Sequence, residues 1–272
     1  MSFTILGSEP VEGGLVVDVQ VPSDCPFFRG HFPRFPTLPA VALLDLIAKL
    51  GDAHTDFGGR PSSLRGLRLR GTITPEAKLQ IKLMQGPDSI GFSVSVDGKA
   101  GTKGRFGFEN VSAPQIPTSA LAKLAANGPS EPAPSLPHEG PALMIQDVLA
   151  RDLESVLCRA IIPATSAFRS RPKDGQANAI PALLAIELCA QASAAHGEGE
   201  PGGGSDAAEA GRGFLVNVKD AWFTTERLPA DQEYFIEARQ TTVAAPLRNY
   251  AGTLRNAAGD LLASVQLGTW VP

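Results

Sequence analysis

Two well-separated segments of this 272-residue chain follow one plan. Pro39-Ala-Val-Ala-Leu-Leu-Asp45-Leu-Ile-Ala-Lys49 and Pro181-Ala-Leu-Leu-Ala-Ile-Glu187-Leu-Cys-Ala-Gln191 both open on Pro-Ala. Both place an acid six residues after the proline and a polar residue four further on. The agreement continues downstream. "LRGLRLRGTITPEAKLQIKL" from Leu64 and "FLVNVKDAWFTTERLPADQEYFIEA" from Phe214 each read as strand, proline-containing turn, strand. "VSVDGKAGTKGRFGF" from Val94 and "TLRNAAGDLLASVQLGTW" from Thr253 each read as two alternating runs about a glycine turn. A supersecondary unit used twice is the simplest source of such a pattern.

Each copy supplies one long helix and several strands. "GLVVDVQV" alternates in the manner of a half-buried strand. The helical segments are apolar on nearly every side, so they belong in the interior with the sheet wrapped around them. That predicts α+β halves of ordinary domain size, residues 1–112 and 136–272. Residues 113–135, rich in Pro, Ala and Ser, read as a linker with a short helix over Thr118 to Asn127. The second copy carries an insertion, "HGEGEPGGGSDAAEAGRG", with the composition of a flexible surface loop.

The copies differ in their chemistry. "CPFFRGHFPRFPTLPA" puts His31 ahead of the first helix. The corresponding "SAFRSRPKDGQANAIPA" holds Arg169, Arg171 and Lys173 but no histidine. Asp45 has Lys49 at i+4, a pairing that keeps a carboxylate ionised. Glu187 has Gln191 at that offset and no opposite charge within helical reach. A carboxyl buried among apolar side chains has its pKa raised and can hold a proton for delivery. A proline at the first turn of a helix forfeits no needed bond. The N–H groups that follow, of Ala40 and Val41 or of Ala182 and Leu183, suit a developing oxyanion.

Charge and cysteine usage exclude several classes. A net charge of −4 argues against general affinity for nucleic acid or anionic membranes. An acidic partner would have to meet a local basic patch. Arg65, Arg68 and Arg70 on one predicted strand offer such a patch, or equally a solvated edge strand kept from aggregating. Cys25, Cys158 and Cys189 form neither a disulfide framework nor a zinc pair and read as core filler. The N-terminus lacks a signal peptide's pattern, and no apolar run reaches the roughly 18 residues of a membrane span. A reduced, cytoplasmic protein is expected. His54, His138 and His196 read as structural.

"GHFPRFPTLPAVALLD" resembles the signature of hotdog-fold 3-hydroxyacyl-[acyl carrier protein] dehydratases, including the fourteen residues from His31 to Asp45. "LPHEGPALMIQDVL" and "IPALLAIELCAQ" are similar to the same family. Together the halves resemble the two partner dehydratase subunits of aryl polyene biosynthesis, joined in one chain. Ala40 and Ala182 depart from the glycine common there, and Lys49 from glutamine.

The resemblance implies a double hotdog, two α+β units whose antiparallel sheets join around central helices. It also implies a site between the units, with the histidine from one and the acid from the other. His31 is then the base and Glu187 the acid. The Ala40 and Val41 amides hold the thioester oxygen, Pro39 and Gln191 support the site, and Asp45 is the idle acid of a second site. The substrate is carried by acyl carrier protein. No metal or organic cofactor is expected beyond the phosphopantetheine arm that arrives with that substrate, and the fused pair is free to assemble further. A noncatalytic acyl-binding partner and a hotdog thioesterase are the competing readings.

Overall fold

The computed structural model describes residues 2–54, 60–109, 114, 116, 130–132, 136–170, 178–197 and 213–271. The helix expected over 118–127, nearly all of the insertion, Arg171 and Lys173 lie outside the described residues.

The first half runs β1 (Thr4–Val11), β2 (Gly14–Gln20), a 3-10 turn (Pro26–Phe28), α1 (Ala40–His54), β3 (Ser63–Arg68), β4 (Lys78–Gln85), β5 (Ser89–Val96) and β6 (Lys99–Gly107). The second runs β7 (Glu131–Pro132), a 3-10 turn (Gly140–Ala142), β8 (Ile145–Arg151), β9 (Ser155–Ile161) and β10 (Ala179–Pro181). It continues with α2 (Leu184–Gly197), β11 (Phe214–Phe223), β12 (Arg227–Pro229), β13 (Glu233–Ala244), β14 (Leu247–Asn256) and β15 (Leu261–Trp270). Among the described residues thirteen strands form one antiparallel sheet in the order β1-β2-β4-β5-β6-β3-β11-β15-β14-β13-β9-β8-β7. The halves meet at β3 and β11, paired from Ser63 opposite Trp222 to Arg68 opposite Asn217. The sheets therefore join, as the double-hotdog expectation requires.

Side-chain alternation explains which face is buried. Leu15, Val17 and Val19 of β2 and Leu79, Ile81 and Leu83 of β4 all point into the core. There they meet α1, whose Val41, Leu43, Leu44 and Ile47 are almost wholly excluded from water. In the second half Leu184, Ile186 and Leu188 of α2 are equally buried, and α1 touches α2. Each such aliphatic side chain contributes about 1.5–3 kcal/mol through removal from water. No described helix is long and apolar enough to cross a membrane.

Two details depart from the sequence reading. β3 ends at Arg68, so Arg70 lies beyond the strand rather than on it. Within β3 the register shifts between Arg65 and Arg68, with Gly66 at φ +60°. This bulge lets both arginines face solvent although their spacing is odd. The two helix starts also differ. α1 begins directly after Pro39, but Pro181 is the last residue of β10 and α2 begins three residues later. Pairing of Pro181 with Arg227 in the β10–β12 ribbon holds the chain extended there.

Candidate active site

The first 3-10 turn buries Phe27 and Phe28 and delivers the chain to Gly30 at φ +77°. A Cβ at this glycine would sit 1.8 Å from the Glu139 carbonyl oxygen. Only glycine allows both that backbone angle and that approach. The Glu139 N–H donates to the Gly30 carbonyl at 2.8 Å, and His31 and His138 face each other as an antiparallel bridge. The two halves are thus stitched backbone to backbone beside the histidine.

Beyond His31, Pro33 and Pro36 restrict the loop, and the Thr37 carbonyl returns to 2.6 Å from His31 Nδ1. A carbonyl can only accept, so Nδ1 carries the hydrogen and Nε2 keeps its lone pair. Burial pulls the His31 pKa down to about 4, against the opposing charge of Glu187. The imidazole is neutral near pH 7, with its free nitrogen fixed by the Thr37 bond.

Glu187 lies in the first turn of α2 and is buried. Its Oε1 accepts from His138 Nε2 at 3.1 Å and from Gln191 Nε2 at 3.0 Å. Gln191 is locked in turn, donating to the Ala142 carbonyl at 2.9 Å and accepting from the Met144 N–H at 3.1 Å. Burial alone would push the Glu187 carboxyl up. The hydrogen bond and charge of His138, the charge of His31 and the Gln191 bond outweigh it and hold the carboxyl at about 2. The sequence pointed to a carboxyl that keeps its own proton. The structure adds a histidine from a distant segment, whose bond to Oε1 works against that burial.

One polar atom each from His31, His138 and Glu187 fall within 4.8 Å of one another. All three line a cavity of about 370 Å³, together with Ala40 and, one and two turns after Glu187 on the same face of α2, Ala190 and Ala194. A narrow pocket of about 10 Å³ also touches His31 and Glu187, and Pro39 lies in its wall. Val41 is buried and does not line the main cavity. The Ala42 N–H bonds the Pro39 carbonyl at 3.0 Å, so the Ala40 and Val41 N–H groups precede the α1 ladder. In the second half the Ala182 N–H is engaged by the Glu226 carbonyl at 3.0 Å.

The remaining candidates lie elsewhere. Asp45 is held by Lys49 Nζ at 2.6 Å and Arg60 Nη1 at 2.8 Å, and it lines neither cavity. The i+4 pairing was legible in the sequence; Arg60 was not. Arg169 is a clamp, donating to the carbonyls of Pro163 and Ala230 and paired with Asp231. His54 is exposed, and His196 is buried with Nδ1 at 3.4 Å from the Tyr250 hydroxyl. The cysteines are free and buried. Of the histidines read as structural, His138 alone enters the site. Its only sequence signal was its place in "LPHEGP".

The cavity thus lies between the two halves, with a tautomer-fixed histidine from one and a carboxylate from the other, and comparison with known proteins gives the class of protein, a double-hotdog dehydratase. Residues 130–272 match the ApeP-like family model, described as ApeP dehydratase, and residues 8–105 match the ApeI-like model, described as ApeI dehydratase. The chain belongs to the ApeP-like dehydratase family, with an ApeI-like half ahead of it in one polypeptide. The 3-hydroxyacyl-[acyl-carrier-protein] dehydratase FabZ of Clostridium perfringens (strain SM101 / Type A) is 29% identical over 112 residues, covering 37% of this chain and 81% of that protein. FabZ of Syntrophobacter fumaroxidans is 35% identical over 66 residues, covering 21% and 45%. Among solved structures, the dehydratase domain from the CurJ module of curacin polyketide synthase superposes with a TM-score of 0.71 at 12% identity, covering 98% of this chain and 96% of that one. The pyran synthase domain from module nine of the sorangicin pathway gives 0.69 at 16% identity, covering 99% and 97%. These superpositions establish the double-hotdog architecture over the whole chain.

Proposed function

We propose that this dehydratase removes water from 3-hydroxyacyl thioesters carried on acyl carrier protein, giving trans-2-enoyl thioesters at one site built from both halves. Residues 1–112 supply the base and residues 136–272 the carboxylate. The observation that carries the reading is the convergence of His31 and Glu187 on one cavity, with polar atoms within 4.8 Å.

His31 Nε2, kept free by the Thr37 bond, takes the Cα proton. The thioester oxygen gains charge as that proton leaves, and the N–H of Ala40, which lines the cavity at the start of α1, steadies it. Glu187 meets the β-hydroxyl, held in place by Gln191. As the C–O bond breaks, the electrons of the former Cα–H bond become the new double bond. Asp45, tied to two cations, takes no part. The chemistry calls for no metal or organic cofactor other than the phosphopantetheine arm of the substrate.

Docking of the carrier is read from charge. Arg65, Lys82, Lys103 and Arg105 border an open groove of about 380 Å³ on the outer face of the first half, and Arg68 stands opposite Lys103. This basic patch on a chain of net charge −4 suits an acidic carrier protein. Arg70, beyond the strand, is not part of it.

Mass spectrometry of a 3-hydroxyacyl carrier protein incubated with the enzyme tests the reading. Wild type should yield a species lighter by one water, and His31→Asn should leave the substrate unchanged. Release of free carrier thiol would make the protein a thioesterase. An unaltered substrate with wild type would make it an acyl-binding partner.

A further inference from the structure

The reaction as read lacks a proton donor. Glu187 is ionised, so it has none of its own to give the departing hydroxyl. Gln191, a neutral amide, has none to spare. His31 begins neutral and is occupied by the Cα proton.

Resting on the composite-site reading, we propose that His138 and Glu187 act as a paired acid, the proton on their shared 3.1 Å bond being the one that leaves with the hydroxyl. The geometry contrasts the two histidines. A carbonyl fixes the tautomer of His31, whereas His138 Nδ1 is buried with no hydrogen-bond partner among the described residues. No carbonyl or carboxylate beyond Nδ1 therefore resists a proton moving along the Nε2–Oε1 bond, and neither side chain needs to rotate. Among the described residues the titratable groups facing His138 are Glu187 and His31, whose ring centroid is 5.2 Å away. Phe32 covers another side at 5.3 Å. His138 and Glu187 both line the cavity.

With hydrogens on both nitrogens of the His138 ring at the start, the step balances and the ring ends neutral through Nδ1–H. The Nε2 proton passes to Glu187 and from Glu187 to the hydroxyl oxygen, which leaves as water when the C–O bond breaks. His31 ends with the Cα proton and the pair ends one proton short. Return of that proton from His31 to the pair, over a separation of no more than 4.8 Å, restores the starting state without net exchange.

His138→Gln tests the pair, because glutamine keeps a hydrogen-bond donor for Glu187 but no transferable proton. The expected result is a fall in kcat of about 100-fold or more with KM within about threefold, the range of general acid catalysis. Because the pair must hold its proton to act, wild-type kcat should fall along a basic limb that His138→Gln lacks, and the enoyl product thioester should bind as tightly as to wild type. If His138→Gln keeps kcat within about threefold and retains that limb, His138 merely positions Glu187 and the proposal is overturned. Should the variant fail to bind the enoyl thioester, ¹⁵N shifts of the His138 ring in wild type decide. A ring that titrates along the basic limb supports the pair, and one that does not overturns it. His31→Asn run alongside separates the two levels. Turnover by that variant would sink the composite site itself, whereas a dead His31→Asn with an active His138→Gln sinks only the pair.

Discussion

His31 and Glu187 show how far single residues speak for themselves. Their identities were readable from a motif and from a missing countercharge. Their protonation states were not, because these depend on the Thr37 carbonyl and on His138, and no periodicity connects a loop carbonyl or a remote histidine to a helix. The consequence is measurable. With the His31 pKa lowered from 6.5 to about 4, the neutral base survives well into acid, and kcat/KM should fall only near pH 4. A limb at the ordinary histidine value would contradict the burial argument. Stability follows the same sign. Between pH 6.5 and 4 the unfolded chain binds a proton at His31 that the folded one does not, so this group costs stability as pH falls through that window. Glu187, lowered from 4.5 to about 2, contributes stability above 4.5 that is lost as pH falls towards 2. Denaturant midpoints of wild type against His31→Asn at pH 7 and pH 5 should converge at the lower pH.

At the scale of elements, the helices, the paired strands and the glycine turns were legible because each rests on local periodicity. The differences between the copies were less so. The Pro181 segment looks like the Pro39 segment in one dimension, but the β10–β12 ribbon delays α2 and the Glu226 carbonyl engages the Ala182 N–H. Nor did the sequence reveal why "RGH" needs its glycine: the reason is the Glu139 backbone, which belongs to the other half. Gly30→Ala should therefore do more than strain one residue. Placing alanine at positive φ costs about 1–3 kcal/mol, and the 1.8 Å approach adds a clash that displaces the His31–His138 bridge. Gly66→Ala, also at positive φ but with nothing within 4 Å of the added carbon, should show the strain alone. Thermal unfolding and turnover of the two variants check this: Gly30→Ala loses both stability and activity, while Gly66→Ala keeps its activity.

Across the whole molecule, two halves of like architecture match different dehydratase family models. Among the described residues a thirteen-stranded sheet carries two helices of like design. One keeps a carboxylate facing the shared cavity; the other surrounds its own with Lys49 and Arg60. The first half's outer face is basic. Charge reversal at Lys103 and Arg105 should raise KM for a carrier-borne substrate several-fold and leave a free pantetheine thioester nearly unaffected. The difference should shrink in high salt, as surface electrostatics are screened. Equal effects on both substrates would remove the groove from the docking path.

Catalysis by groups donated from opposite halves is tested most directly by the turnover number of Glu187→Gln set beside that of Asp45→Asn. Glu187→Gln should lower kcat by about 100-fold or more, the scale of a lost acid–base group, while Asp45→Asn stays within about threefold of wild type. An inactive Asp45→Asn beside an active Glu187→Gln would place the chemistry within the first half and contradict it.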